Sequence, residues 1–202
     1  MQQTVYIVDD DQGSRESICA LVEPMNVRAR AFESAEAFLD AFDPDFPGCL
    51  VTDLRMLGMS GMELLEKLHE RGHRVPTIVL SGHADVPITV RAMQLGALTL
   101  LEKPCRSLEL WNAIQQALEL EQQQREKSTR ARELQAKLAK LTDQERQVLK
   151  MIQDGLPNKA IANRLSVSLR TVESRRKSIF EKTHTRTVAE LIRVVEEAKQ
   201  AQ

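Results

Sequence analysis

Carboxylates, a hydroxyl and an ammonium group recur at one kind of position in this chain, the end of a short apolar run. Val5-Tyr6-Ile7-Val8 stops at Asp9, Asp10 and Asp11, and Cys49-Leu50-Val51-Thr52 stops at Asp53. Thr77-Ile78-Val79-Leu80 stops at Ser81, and the run 97–101 closes on Glu102-Lys103-Pro104. Three carboxylates drawn together repel one another, which raises at least one pKa unless a cation sits among them. Oxygen-only ligands favour Mg2+, held by one or two carboxylates with water and phosphate oxygens. A carboxylate can also attack phosphorus and form an acyl phosphate. A metal and a lysine would then neutralise the charge on the transferring phosphoryl oxygens, and the Ser81 hydroxyl could donate to one of them. Each residue has an ordinary role as well: Asp9 and Asp10 as caps, Asp53 and Ser81 in turns, Lys103 as a solvated charge. Their coincidence at four strand ends favours the shared chemistry.

The elements that must position these groups are five short strands alternating with five helices. Strands are expected at 5–8, 27–32, 49–52, 77–80 and 97–101. Ser14 is placed to cap a helix running to Leu21 or Val22, with Pro24 behind it, and Ser34 to cap a helix over 35–42. Ser60-Gly61-Met62-Glu63 is a capping-box pattern opening a helix through about His69. Asp85 and Pro87 start a helix that Gly96 ends, and Ser107 caps a fifth. Short apolar strands are what a parallel sheet buried on both faces requires, and right-handed crossovers put helices on both sides. The expectation is an α/β doubly wound, five-stranded parallel sheet of order 2-1-3-4-5, with its functional groups beyond the carboxyl ends of the strands.

The fifth helical pattern does not stop. Residues 119–140 contain no Gly or Pro and are rich in Glu, Gln, Lys, Arg and Ala, which reads as a solvated helical linker. A coiled-coil seam is under-supported, because 122–132 supplies almost no apolar positions. Beyond it, Thr142-Asp143-Gln144-Glu145 is a second capping box, Gly155-Leu156-Pro157 a break, 158–165 a short helix, 166–168 a turn, 169–182 a basic helix and 187–199 a last helix. Two helices joined by a tight turn, the second basic, fit either a helix-turn-helix or an ordinary bundle with a charged surface. If Val172 and Ile179 face inward, the opposite face carries Arg170, Glu173, Ser174 and Lys177, flanked by Arg175 and Arg176. Arg and Lys suit guanine acceptors and Glu173 could accept from cytosine, while Asn158 and Lys159 are placed for phosphates.

Charge divides along the same line. Residues 1–120 carry 10 Lys+Arg and 18 Asp+Glu, residues 121–140 carry 6 and 3, and residues 141–202 carry 12 and 8. An acidic front and a basic back suggest two domains with different partners. No basic region precedes an apolar run at the start, so no signal peptide is expected, and no apolar run is long enough to cross a bilayer. Cys19, Cys49 and Cys105, and His69, His73, His83 and His184, have no metal-ligand spacing. Reduced thiols in a cytoplasm are the simplest expectation.

Val8-Asp9-Asp10-Asp11, Asp53 with the Gly58–Gly61 loop, Ser81 and Lys103-Pro104 resemble the receiver domain of two-component response regulators. The resemblance implies that Asp53 is the phosphoacceptor and takes phosphate from a sensor histidine kinase. It implies that Asp10, Asp53 and the backbone carbonyl of Arg55 bind Mg2+, that Asp9 acts partly through water, and that Ser81 and Lys103 contact the phosphoryl group. Two residues depart from the pattern: Leu57 stands where proline is usual, and Leu100 where a switch aromatic is usual. Leu141-Thr142…Glu145-Arg146-Gln147-Val148-Leu149, Gly155-Leu156-Pro157-Asn158-Lys159…Ile161-Ala162 and Thr171-Val172-Glu173 resemble the four-helix output domain of the NarL/FixJ (LuxR-type) class, with Arg175 where histidine is usual. That resemblance implies promoter DNA and RNA polymerase as partners and dimerisation on phosphorylation, with Val194 a candidate dimer contact. The expected division is a receiver over 1–120, a linker over 121–140 and a DNA-binding domain over 141–202. Rival readings are a pseudo-receiver that binds DNA constitutively, and a Mg2+-dependent phosphohydrolase, which would want an acid where Arg55 stands.

Overall fold

The computed structural model describes residues 3–45, 47–83 and 85–199. It divides into two compact units, Met1–Arg125 and Glu126–Gln202.

In the first unit the strands are β1 (Thr4–Val8), β2 (Arg28–Phe32), β3 (Gly48–Asp53), β4 (Thr77–Ser81) and β5 (Ala97–Glu102). They pair in parallel in the order β2-β1-β3-β4-β5, as expected. The helices are α1 (Gln12–Val22), α2 (Ala35–Ala41), α3 (Gly61–Glu70), α4 (Val86–Gln94) and α5 (Ser107–Ala139). Every residue of β1, β3 and β4 is buried, so alternate side chains serve opposite faces. Val5, Ile7, Val51 and Ile78 pack with Ile18 and Ile114, from α1 and α5. Tyr6, Val8 and Leu50 pack with Phe38, Leu64 and Leu68, from α2 and α3. Burying each of these large apolar side chains is worth about 1.5–3 kcal/mol. The edge strands β2 and β5 are only partly buried, and on β2 Arg28 and Arg30 blunt further pairing.

Two caps differ from expectation, one of them because α5 begins at Ser107 itself, which lies inside the helix rather than capping it. The Asp11 carboxylate, not Ser14, caps α1 by accepting from the Ser14 amide, which leaves the Ser14 hydroxyl free to donate to Asp9 (2.6 Å). Pro24 lies in a 3-10 turn, Glu23–Met25, that follows α1. Ser34 and Asp85 cap α2 and α4, and Ser60 and Glu63 form the reciprocal capping box of α3.

The second unit contains α6 (Asp143–Gln153), α7 (Asn158–Leu165), α8 (Leu169–Thr183) and α9 (Val188–Lys199) around one apolar core, which includes Leu141, Val148, Ile152, Ile161, Val172, Ile179 and Leu191. Thr142 and Glu145 form the second capping box. The α5 stretch within this unit is not the solvated rod that its polar composition suggests. Ala131 and Leu134 are buried, Arg130 pairs with Glu197 at 2.7 Å, and Gln135 donates to the Ala198 carbonyl at 2.8 Å. A small residue and a leucine three apart are enough to give that stretch a packed face.

α3 starts very close to the end of β3. The Gly61 amide donates to the Leu54 carbonyl (3.1 Å), and a Cβ on Gly61 would sit 2.2 Å from the Asp53 carbonyl oxygen. Backbone, not a flexible side chain, blocks the space. Gly61→Ala is therefore expected to cost about 1–3 kcal/mol, as overpacking of a closed site does. Urea unfolding of the full chain checks this, and an unchanged midpoint would refute the close approach.

Candidate functional site

The strand ends converge as their register requires. Val8 lies opposite Thr52, Asp53 opposite Leu80 and Ser81 opposite Glu102. The Leu54 amide donates to the Leu80 carbonyl and the Lys103 amide to the Ser81 carbonyl, both at 2.7 Å, so pairing continues one step past the strands. Asp9, Asp53 and Lys103 are thereby carried to one place.

The Lys103 ammonium lies 2.8 Å from Asp9 Oδ2 and 2.5 Å from Asp53 Oδ1. Asp9 is almost wholly buried, with its other contacts supplied by the Asp11 amide (2.9 Å) and the Ser14 hydroxyl. Asp53 is buried too, but 11% of its side chain reaches solvent, enough to present an oxygen to a reagent. Its Oδ2 accepts from the Arg55 amide at 2.8 Å. Burial pulls the Lys103 pKa down, but hydrogen bonds and charge from Asp53 and Asp9 outweigh it and hold that pKa above the ordinary lysine value. The lysine is thus a fixed positive charge beside two carboxylates.

Asp10 differs from Asp9 in exposure and in partner. It is exposed, and its carboxylate accepts from the Leu57 amide at 3.0 Å. The Arg55 side chain is exposed. The Ser81 side chain is buried at the end of β4, where its hydroxyl donates to the His83 carbonyl (2.6 Å) and accepts from the His83 amide (3.2 Å). Leu100 is half-buried against an apolar cluster that contains Leu54, Leu65 and Val79.

Among the described residues no three His, Cys, Asp or Glu side chains are grouped to hold a metal ion. The donor set nonetheless suits Mg2+, which takes oxygen ligands, needs only one or two carboxylates and keeps several waters. Asp10, Asp53 and the Arg55 carbonyl are oxygen donors of that kind, although both oxygens of Asp53, like both of Asp9, already have protein partners.

In the second unit, α8 shows two faces. Arg175, Ser178 and Lys182 turn toward α6: Arg175 donates to Gln144 at 2.7 Å, and Ser178 (2.6 Å) and Lys182 (2.7 Å) bind the Glu145 carboxylate. Glu145 is buried and also accepts from the Thr142 amide at 2.7 Å. Burial raises its pKa, but the hydrogen bonds from Lys182, Ser178 and Thr142 prevail and bring it down to about 2. Val172 and Ile179 are fully buried, as expected of the inward stripe.

Arg170, Glu173, Ser174 and Lys177 form an exposed face, and Lys159 is exposed at the start of α7. Thr171 is half-buried, its hydroxyl 2.8 Å from that of the α8 cap Ser168. Arg176 stacks over Phe180 with its guanidinium carbon 5.9 Å from the ring centre. The sequence grouped Arg175 with the outward residues, but its bond to Gln144 gives it a share in holding α8. Asn158, Glu173, Arg176 and Lys177 line an open cleft of about 750 Å³ together with His184 and Arg186. Those last two were not anticipated. They lie between α8 and α9, where no helical periodicity singles them out, and only the positive charge of Arg186 could have drawn notice.

Residues 5–115 match the family model described as the response regulator receiver domain, and residues 139–195 match that of bacterial regulatory proteins of the luxR family. The response regulator protein TmoT of Ectopseudomonas mendocina is 39% identical, over 98% of this chain and 90% of that protein. The transcriptional regulatory protein FixJ of Rhizobium meliloti is 41% identical, over 95% and 94%. The solved structure of the response regulator StyR shares 38% identity, with a TM-score of 0.88 over 98% of this chain and 100% of that one.

The Glu145 pKa sets a pH window. The folded value of about 2 lies below the ordinary 4.5, so its stabilisation is fully present above pH 4.5 and is lost as pH falls toward 2. Glu145→Gln is expected to be less stable at pH 7 and to lose less stability than the wild type between those two pH values. Thermal unfolding of both full-length proteins across that range tests this, and identical pH slopes would refute it.

Proposed function

The chain belongs to the two-component response regulators, as one that joins a receiver domain to a luxR-family DNA-binding domain, and from that membership we propose that phosphorylation of Asp53 controls its dimerisation and its binding to promoter DNA. The observation that carries this reading is the Lys103 ammonium bound to both Asp9 and Asp53 at converging strand ends. The proposed division is a receiver over 1–120, a helical stretch over 121–140 and the DNA-binding domain over 141–202.

In the proposed reaction an Asp53 oxygen attacks the phosphorus of a phosphohistidine on a sensor histidine kinase. The O–P bond forms as the N–P bond breaks, and the histidine leaves with the electron pair and takes up a proton. Lys103 offsets the charge on the phosphoryl oxygens, and the Ser81 hydroxyl donates to one of them after releasing the His83 carbonyl. Mg2+, held by Asp10, Asp53 and the Arg55 carbonyl with Asp9 acting through water, would neutralise further charge at the same oxygens. The Arg55 amide keeps Asp53 oriented and Ser14 keeps Asp9 oriented.

At the output, Arg170, Glu173, Ser174 and Lys177 would meet base edges in the major groove, and Asn158, Lys159, Thr171 and Arg176 the phosphates. Arg175 would act mainly by fixing α8. RNA polymerase recruitment and a cytoplasmic setting follow from a role at promoters. Among the described residues no helix is long and apolar enough to cross a membrane.

A constitutive DNA binder is the second reading. It is favoured by Leu100, which packs among apolar neighbours and has no polar end to report on phosphorylation. Two experiments decide. Exposed to a small phosphodonor, the wild type should take up label and Asp53→Asn should not; equal labelling would overturn the assignment. DNA affinity measured at one salt concentration should rise on phosphorylation, and an unchanged affinity gives the point to the constitutive reading. On DNA, Arg170→Ala should cost about 1–3 kcal/mol and relax specificity at one base pair, whereas Lys159→Ala should weaken all sequences alike and reduce the salt slope by about 1. Titrations at several salt concentrations separate the two.

A further inference from the structure

The loop between β3 and α3 gives four of its backbone amides to carboxylates. Arg55 donates to Asp53 (2.8 Å), Leu57 to Asp10 (3.0 Å), Met59 to Glu36 (3.1 Å) and Ser60 to Glu63 (2.8 Å). The last is part of the α3 capping box, and the third ties the loop to α2. The first two go to Asp53 and Asp10, from alternate residues.

Leu57 is an odd residue to find there. Its side chain is 82% exposed and joins none of the apolar clusters. What it gives the site is its N–H. Among the described residues Asp10, unlike Asp9, has no ammonium or hydroxyl against it, and the Leu57 amide is the hydrogen-bond partner of its carboxylate. An exposed aspartate without that bond would rotate freely and lose the freedom on taking a cation. With the bond, one oxygen is fixed and the other stays available, and hydrogen bonds behind a metal ligand are known to set its orientation and affinity.

We infer that the Leu57 backbone amide is a positioning group for cation binding, holding Asp10 as the Arg55 amide holds Asp53. The inference rests on the proposed reading in which Asp10 and Asp53 share a divalent cation. The residue type matters only through the donor: any residue but proline supplies it, and proline is what the receiver pattern usually has at this position. Leu57 is therefore not a silent departure from the pattern, because it adds a hydrogen bond that proline cannot make.

Mn2+, which can be counted free by electron paramagnetic resonance, is the probe, titrated into the full-length wild type and the Asp10→Asn, Leu57→Ala and Leu57→Pro variants. The wild type should bind and Asp10→Asn should bind much more weakly. Leu57→Ala, which keeps the amide, should stay within about twofold of the wild type, while Leu57→Pro should lose about tenfold, the lower end of the effect expected for an outer-shell partner. Wild type and Asp10→Asn binding alike would sink the cation reading itself. If those two differ while Leu57→Pro matches the wild type, or binds more tightly, the positioning role is overturned and the cation reading stands. A measurement without variants guards against a misfolded proline mutant. In the wild type, exchange of the Leu57 amide proton should slow when Mg2+ is added, because binding and hydrogen bond reinforce one another; faster exchange overturns the inference.

Discussion

Two buried carboxylates at neighbouring strand ends, Asp9 just past β1 and Asp53 at the end of β3, are held together by one ammonium group from the far edge of the sheet. Without a cation their mutual repulsion and lost hydration would oppose bringing them together. Lys103 supplies that cation, but it follows β5, and in the order β2-β1-β3-β4-β5 the strand β4 lies between. The lysine chain must cross the end of β4 to reach Asp53. The residue there is Ser81, small and bonded back onto His83, so it leaves the path open. The register that puts Ser81 opposite Glu102 is thus the same register that lets the pocket form.

The second unit solves a related problem. Glu145 is a buried carboxylate that belongs to α6, yet the groups that satisfy it include Ser178 and Lys182 of α8. A buried ion pair is weak evidence of stability, because desolvation consumes most of the attraction. Its value here is geometric. With Val172 and Ile179 in the core, the Glu145 contacts fix the rotation of α8 about its axis and leave Arg170, Glu173, Ser174 and Lys177 outward. In both units, then, a buried carboxylate and a lysine distant in sequence set the direction of the groups that would do the work.

Much of this was legible in the sequence, for identifiable reasons. Strands buried on both faces are continuous apolar runs, and Ser34, Ser60, Asp85 and Thr142 announce helices by chemistry that acts within one turn. What was hidden depended on distant partners. Burial parity cannot say which of Asp9 and Asp10 turns inward when β1 is buried on both faces, and it is the reach of Lys103 that decides. The exchange of capping roles between Asp11 and Ser14 has the same origin, since the Ser14 hydroxyl is drawn to Asp9. The polar run in α5 concealed a buried face at Ala131 and Leu134, and the bonds that Arg130 and Gln135 make beside it go to Glu197 and Ala198 of α9, more than fifty residues on. Arg175 looks outward on a helical wheel until Gln144 is placed beside it.

Leu100 bears on how a phosphorylated pocket would communicate. The Ser81 hydroxyl makes two bonds, both to His83, a residue that is exposed. Transferring that hydroxyl to a phosphoryl oxygen would leave the His83 carbonyl to water, a small net cost for an exposed group. The movement needs no vacancy in the core, and Leu100 can stay packed against Leu54 and Val79 while it happens. An aromatic with a polar end would follow such a shift by exchanging a solvent bond for a buried one, and leucine has no such bond to exchange. A signal leaving this pocket by way of Ser81 would act first on the His83 backbone to which its hydroxyl is bonded.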